Sequence, residues 1–162
     1  MRTQFVDYGL QFTNLTPREV TDMIVVHHTG DDVDDDLSAI EIHASHQSKG
    51  WAGIGYHFVI RKDGTVEVGR PLDCVGAHAA PENYHTIGIH LSGNFEIGTP
   101  TNEQIESLAK LLADLTEMYG LENTNKFVVG HRDLMATACP GENLYQKLSE
   151  ILGKAEWYKN AA

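Results

Sequence analysis

The stretch Met23-Ile24-Val25-Val26-His27-His28 is apolar and β-branched up to a closing pair of histidines. Such a run reads as a buried strand that delivers His27 and His28 to its C-terminal end. Two further runs are short enough to lie beside it in a covered sheet: Thr86-Ile87-Gly88-Ile89-His90-Leu91 and Phe127-Val128-Val129-Gly130-His131. Tyr56-His57-Phe58-Val59-Ile60 and Thr65-Val66-Glu67-Val68-Gly69, joined through Lys62-Asp63-Gly64, predict a β-hairpin with a tight Asp-Gly turn.

Helical spacing fills the intervals. From Leu37 to about Lys49 the apolar positions Leu37, Ile40 and Ala44 predict a helix, with an N-cap at Asp36 and a stop at Gly50. Thr101-x-x-Gln104 is a capping box opening a second helix. Its stripe of Ile105, Leu108, Leu111, Leu112, Leu115 and Met118 is expected in the core, and Gly120 closes it. Asn143 to Leu152 carries Leu144, Leu148, Ile151 and Leu152 on one side and predicts a last helix. The chain is therefore α/β. With no internal repeat, low-complexity tract or linker in its 162 residues, it is expected to form a single domain over 1–162.

Charge and composition exclude several partners. With 12 Lys and Arg against 23 Asp and Glu, the net charge is −11, which argues against nucleic-acid binding. Met1-Arg2-Thr3-Gln4-Phe5 has no basic segment followed by an apolar one, so no signal peptide is expected. No run approaches the roughly 18 apolar residues of a membrane span, so membrane insertion is not expected either. Asp31, Asp32, Asp34, Asp35 and Asp36 lack the spacing of a calcium loop and read as a solvated turn. There is no phosphate-binding glycine loop and no Gly-x-Ser-x-Gly nucleophile motif.

The chemistry concentrates at two places. A histidine at the end of the first strand, His131 at the end of another, and Cys139 eight positions later can supply three ligands to one zinc ion. Three protein ligands leave a fourth position open, the arrangement of a catalytic site, where the metal brings the pKa of water to about 7. Adjacent strand residues face opposite ways, so only one of His27 and His28 is expected to serve; alternation does not say which. His43 and His46 share a helix face but stand in no recognisable metal motif, and are expected to pack. Cys74 has no ligand pattern around it and is expected to be a free thiol.

The ordered set His27-His28-Thr29, Gly50-Trp51, Ile54-Gly55-Tyr56-His57-Phe58, Asp63-Gly64-Thr65-Val66, Gly69-Arg70, Val75-Gly76-Ala77-His78, Ile87-Gly88-Ile89, Gly130-His131-Arg132 and Cys139-Pro140-Gly141 resembles the type 2 N-acetylmuramoyl-L-alanine amidases. That family includes T7-type phage lysozymes and peptidoglycan recognition proteins, and the likeness spans about positions 20 to 150. The resemblance implies a central mixed β-sheet flanked by helices, with a zinc-bearing groove on one face. It implies Zn2+ held by His27, His131 and Cys139, with His28 in a packing or groove-lining role. Tyr56 matches the catalytic tyrosine, and Thr137 stands where T7-type lysozymes carry a lysine and catalytic recognition proteins a threonine. His78 matches a substrate-proximal position, Trp51 a groove or core aromatic, and Arg70 a structural or substrate-proximal ion pair. The implied partner is bacterial peptidoglycan, bound by a monomer. The implied role is a phage or prophage endolysin, held in the host cytoplasm until released to the cell wall. The alternatives are a bacterial amidase for wall turnover and a peptidoglycan-binding module without catalysis; Cys139, beside both histidines and Tyr56, favours the enzyme.

Overall fold

The computed structural model describes residues 1–161. Six strands form one mixed sheet: β1 (Phe5–Val6), β2 (Met23–His28), β3 (Phe58–Ile60), β4 (Val66–Val68), β5 (Thr86–Leu91) and β6 (Val128–Gly130). Their spatial order is β1-β4-β3-β5-β2-β6, and only the β3–β4 hairpin is antiparallel. Strand β2 thus lies between β5 and β6, with His27 opposite His90 and Val26 opposite Gly130.

Four helices accompany the sheet: α1 (Ala39–Ser48), α2 (Asn102–Tyr119), α3 (Glu142–Tyr145) and α4 (Leu148–Asn160). One face of the sheet, through Ile24, Val26, Ile87, Ile89 and Leu91, shares a buried cluster with Leu108, Leu111 and Leu115 of α2 and with Ile151 and Leu152 of α4. The capping box at Thr101 and Gln104 forms as expected. The stripe of α2 is buried from Ile105 to Leu115, but Met118 is half exposed. Tyr119, four residues after Leu115, joins the cluster in its place, because i to i+4 keeps the face and i to i+3 has drifted off it at this turn. The last amphipathic stretch is split into α3 and α4, and α4 runs on to Asn160.

On the opposite face sits α1, and here the expected details change. Its N-cap is Ser38, not Asp36, because Ser38 and Glu41 make a reciprocal capping box. The Asp36 carboxylate is taken instead by the Arg61 guanidinium and the Lys62 N–H. The buried side of α1 carries Ala39, Ile42, His43 and His46, whereas Ile40 and Ala44 face solvent. The Ala39 N–H donates to Glu67, a buried carboxylate on β4 that also meets Arg61, so the helix start is tied to the sheet. The acidic turn is likewise paired in part: Asp34 accepts from Lys62 and from the Asn94 N–H. β1 and its parallel pairing with β4 add an edge strand that two residues of sequence do not signal. No helix among the described residues is long and apolar enough to cross a membrane.

Candidate metal centre and groove

Period-two alternation separates the His27-His28 pair. His28 points into the apolar face, where its ring stacks on Phe95 at 6.0 Å and its Nδ1 accepts the Phe95 N–H at 3.1 Å. His27 points to the other face and is 1% exposed. Directly after β6, His131 opens a short 3-10 turn, His131–Asp133, held by the Asp133 carboxylate on the Gly130 N–H. The loop then folds back, and the Arg132 N–H donates to the Cys139 carbonyl at 2.8 Å. That closure brings Cys139 to the strand ends, where its sulfur accepts the His28 N–H at 3.4 Å and lies 3.6 Å from His27 Nδ1.

The result is a group in which His27, His131 and Cys139 each offer a ligand atom, all within 4.8 Å of one another. His43, His46 and Cys74 are not part of it, and both cysteines are free. The donors suit zinc. Burial, and then the neighbouring His78 and His131, hold His27 well below the usual imidazole range, so it is neutral and its lone pair could serve a metal. Burial pushes the Cys139 thiol up to about 12, only partly offset by the His28 N–H. Without a cation beside it the thiol therefore keeps its proton, and metal binding must displace it.

A groove of about 460 Å³ opens beside these three residues, bounded by His46, Trp51, Tyr56, His78, His131 and Met135. Trp51 is 42% exposed and stands 4.5 Å from the His46 ring, with the Lys49 ammonium 5.5 Å above its indole. Tyr56 packs between His27 and His90, at 5.1 Å and 4.7 Å. Burial raises its phenol above the ordinary value, so it stays a donor. Its backbone is placed by two histidines of α1: His43 Nδ1 accepts the Ile54 N–H and His46 Nδ1 accepts the Gly55 N–H, each at 3.0 Å. Arg70, for which an ion pair was expected, instead donates to the carbonyls of Gly53, Ile54 and Val75. A guanidinium with five donors fits three carbonyls of a tight loop better than one carboxylate would.

His78 lines the groove and also hydrogen-bonds His27 Nε2 at 2.8 Å. Thr137, half-buried, lies outside the groove lining; its hydroxyl accepts the Cys139 N–H at 3.3 Å and keeps its own hydrogen available. Met135, Asn83 and Lys49 belong to the lining and carry no motif that sequence reasoning could have singled out. Met135 sulfur sits 3.0 Å from His131 Nε2. His57 and His90 are buried behind the site, held down to about 3 chiefly by burial.

The chain is similar to known proteins over most of its length. A family model described as Amidase_2, N-acetylmuramoyl-L-alanine amidase, matches residues 17–142. The endolysin of Klebsiella phage KP32 is 35% identical over 150 residues, covering 90% of this chain and 91% of that one. Peptidoglycan-recognition protein SC2 of Drosophila melanogaster is 37% identical over 130 residues, 76% of this chain and 70% of that one. Among solved structures, N-acetylmuramoyl-L-alanine amidase LysC from Clostridium intestinale URNW superposes with a TM-score of 0.83 at 36% identity, covering 93% of this chain and 97% of that one. The strand that ends in His27, the turn that starts at His131 and the loop that returns Cys139 thus sit in a chain that belongs to the Amidase_2 family and is an N-acetylmuramoyl-L-alanine amidase.

Proposed function

We propose that this amidase is zinc-dependent and hydrolyses the amide joining the lactyl group of N-acetylmuramic acid to L-alanine of the stem peptide, as a phage or prophage endolysin. The observation that carries the reading is the clustering of His27, His131 and Cys139 within 4.8 Å beside a groove lined by Tyr56. These three residues would hold the ion. Zinc bound there supplies Lewis acidity, drawing electron density from the scissile carbonyl and acidifying water.

The chain's own residues do the rest. Tyr56, kept protonated by burial, donates a hydrogen bond to the oxygen on which charge develops. Thr137 stands outside the groove lining, beside Cys139, and its free hydroxyl hydrogen would serve as a second, neutral donor. A lysine there would make a charge-assisted bond roughly twice as strong, so more of the stabilisation falls on Tyr56. Trp51 offers an aromatic wall, and His78 holds His27 from behind. Apart from the Lys49 ammonium the groove is lined by uncharged groups, which leaves recognition mostly to shape and hydrogen bonding and suits a protein of net charge −11 acting on an anionic polymer. The working form is a monomer that stays in the host cytoplasm until lysis and binds no nucleic acid.

A second reading, a binding module that has lost catalysis, draws on the recognition-protein relatives. The presence of Cys139 together with both histidines favours the enzyme. Purified protein incubated with peptidoglycan separates the two: the enzyme exposes L-alanine amino termini without new reducing ends and holds one zinc per chain. Reducing ends would require a carboxylate pair and would overturn the amidase mechanism. Binding without any new amino terminus would select the module.

A further inference from the structure

Behind the metal ligands runs a chain of hydrogen bonds with a direction that can be read. The Thr86 hydroxyl has one hydrogen and gives it to the Glu82 carbonyl at 2.8 Å. Toward His78 Nε2, 3.2 Å away, that oxygen can then only accept, so Nε2 carries the proton. No carboxylate pairs with the His78 ring among the described residues, and a singly protonated imidazole leaves Nδ1 bare. The bare nitrogen lies 2.8 Å from His27 Nε2, which must therefore be the donor. A neutral His27 protonated at Nε2 presents its lone pair at Nδ1, the atom that faces Cys139 sulfur at 3.6 Å.

We propose that Thr86 and His78 are positioning residues that fix His27 as its Nε2–H tautomer and so reserve Nδ1 for the metal. The proposal rests on the zinc reading above. An imidazole free to exchange tautomers would present a proton to the ion in part of its population, whereas a fixed partner sets both tautomer and ring plane.

The surroundings hold His78 in place. Asn83 Oδ1 accepts the N–H groups of His78 and Ala79 at 3.0 and 2.8 Å. Two glycines make the slot for its ring: a Cβ on Gly88 would lie 2.6 Å from His78 Cγ, and one on Gly76 would lie 2.8 Å from His78 Cδ2. A glycine in the middle of a fully buried strand weakens the strand, and the close approach of this ring gives Gly88 its reason.

The test uses the metal-free protein and then zinc itself. Long-range 15N–1H correlation spectra of the metal-free wild type should show Nε2–H for both His27 and His78. Zinc titration against a chelating competitor should show Thr86→Val and His78→Leu weakened by roughly 10- to 100-fold, the usual cost of losing such a partner. Thr86→Ser should bind zinc like wild type. His78→Asn, whose Oδ1 can accept where Nδ1 did, should recover most of the affinity that His78→Leu loses. Thr86→Val is nearly isosteric, so it reports even if His78→Leu does not fold. An Nδ1–H signal at His27, or Thr86→Val binding zinc as tightly as wild type, would overturn the relay while leaving the zinc site intact. A wild type that binds no zinc, with the tautomers as expected, would remove the zinc reading and the role assigned to the relay with it.

Discussion

Along β2 and β5, Ile24, Val26, Ile87, Ile89 and Leu91 look toward α2 and α4, while the alternate positions His27, Thr86, Gly88 and His90 look toward α1 and the groove. Ile24, Ile87, Ile89 and Leu91 are fully buried, and His27, Thr86 and His90 are no more than 1% exposed. The first face is filled by volume. The second sets imidazoles among two smaller apolar clusters that include Ile42, Val59 and Val25. An imidazole in a dry site costs least where its nitrogens find partners, as all but His90 Nδ1 largely do. Those partners are mostly backbone: His43 on Ile54, His46 on Gly55, and His57 on Gly88 and on Cys74. Each such bond fixes a stretch of chain that carries a groove residue. One face therefore supplies stability and the other supplies position, and substitutions should separate the two.

The largest effect is expected at the ligands. Cys139→Ser or His131→Ala should abolish stoichiometric zinc and lower turnover by more than the roughly 10- to 100-fold that loss of an indirect partner costs. Compared in the metal-free state, their urea midpoints should stay close to that of wild type. Metal analysis showing equal zinc in wild type and Cys139→Ser would eliminate this site.

Acid should act on the positional face next. His46 is held down to about 4, and His57 and His90 to about 3, in each case mainly by burial. Between these values and the ordinary one near 6.5 the unfolded chain binds more protons than the folded one, so stability falls as pH falls. Each proton taken up on unfolding steepens the loss by about 1.4 kcal/mol per pH unit. The metal-free protein should lose stability progressively from about pH 6.5 downward. A flat profile between pH 7 and pH 4 would mean that these histidines are hydrated and that the two faces do not differ in this way.

On the apolar face, Leu111→Ala removes a fully buried side chain of α2 and should cost about 2–5 kcal/mol in urea unfolding. Zinc content and kcat, measured well below the melting temperature, should be unchanged. Tyr56→Phe is the mirror image: close to wild-type stability and zinc content, with kcat lower by roughly 10²- to 10³-fold, the usual effect of deleting one oxyanion donor. Thr137→Ala should follow the same pattern, and Thr137→Lys should keep measurable turnover. Wild-type turnover in Tyr56→Phe would reduce that ring to packing.

The same contrast governs what could be read in advance. β2 and β5 have the bounds the sequence suggested, and the α2 stripe holds to Leu115, because hydrophobic burial leaves a period in the chain. The buried face of α1 is not legible in the sequence because it is half histidine, and a polar residue buried through backbone hydrogen bonds has no periodic signature. Asp36 lost the cap to Ser38 because Arg61 and Lys62, 25 and 26 residues away, claim its carboxylate, a long-range fact no local rule contains. His27, His131 and Cys139 stand out in the sequence only as an ordered motif; that alternation turns His27 to the groove and His28 to Phe95 depends on the neighbouring strands.

The smallest effect, and one of opposite sign, belongs to His85 at the edge of the positional face. Burial favours its neutral form, but hydrogen bonds to Glu82 and Asp22 outweigh it and raise the pKa above 6.5. Because the folded value is raised, the contribution is fully present below about pH 6.5 and is lost as pH rises through the folded value. His85 closes the 3-10 turn Glu82–His85, whose Glu82 carbonyl receives Thr86 and whose Asn83 holds the backbone of His78. Asp22 is 58% exposed, so the pair with it is screened and the effect should shrink with salt. His85→Gln should thus be less stable than wild type at pH 6 and low ionic strength, and the gap should narrow toward pH 9. A gap that is constant with pH would show that the ring acts by packing alone, and that the turn behind His78 needs no charge to hold it.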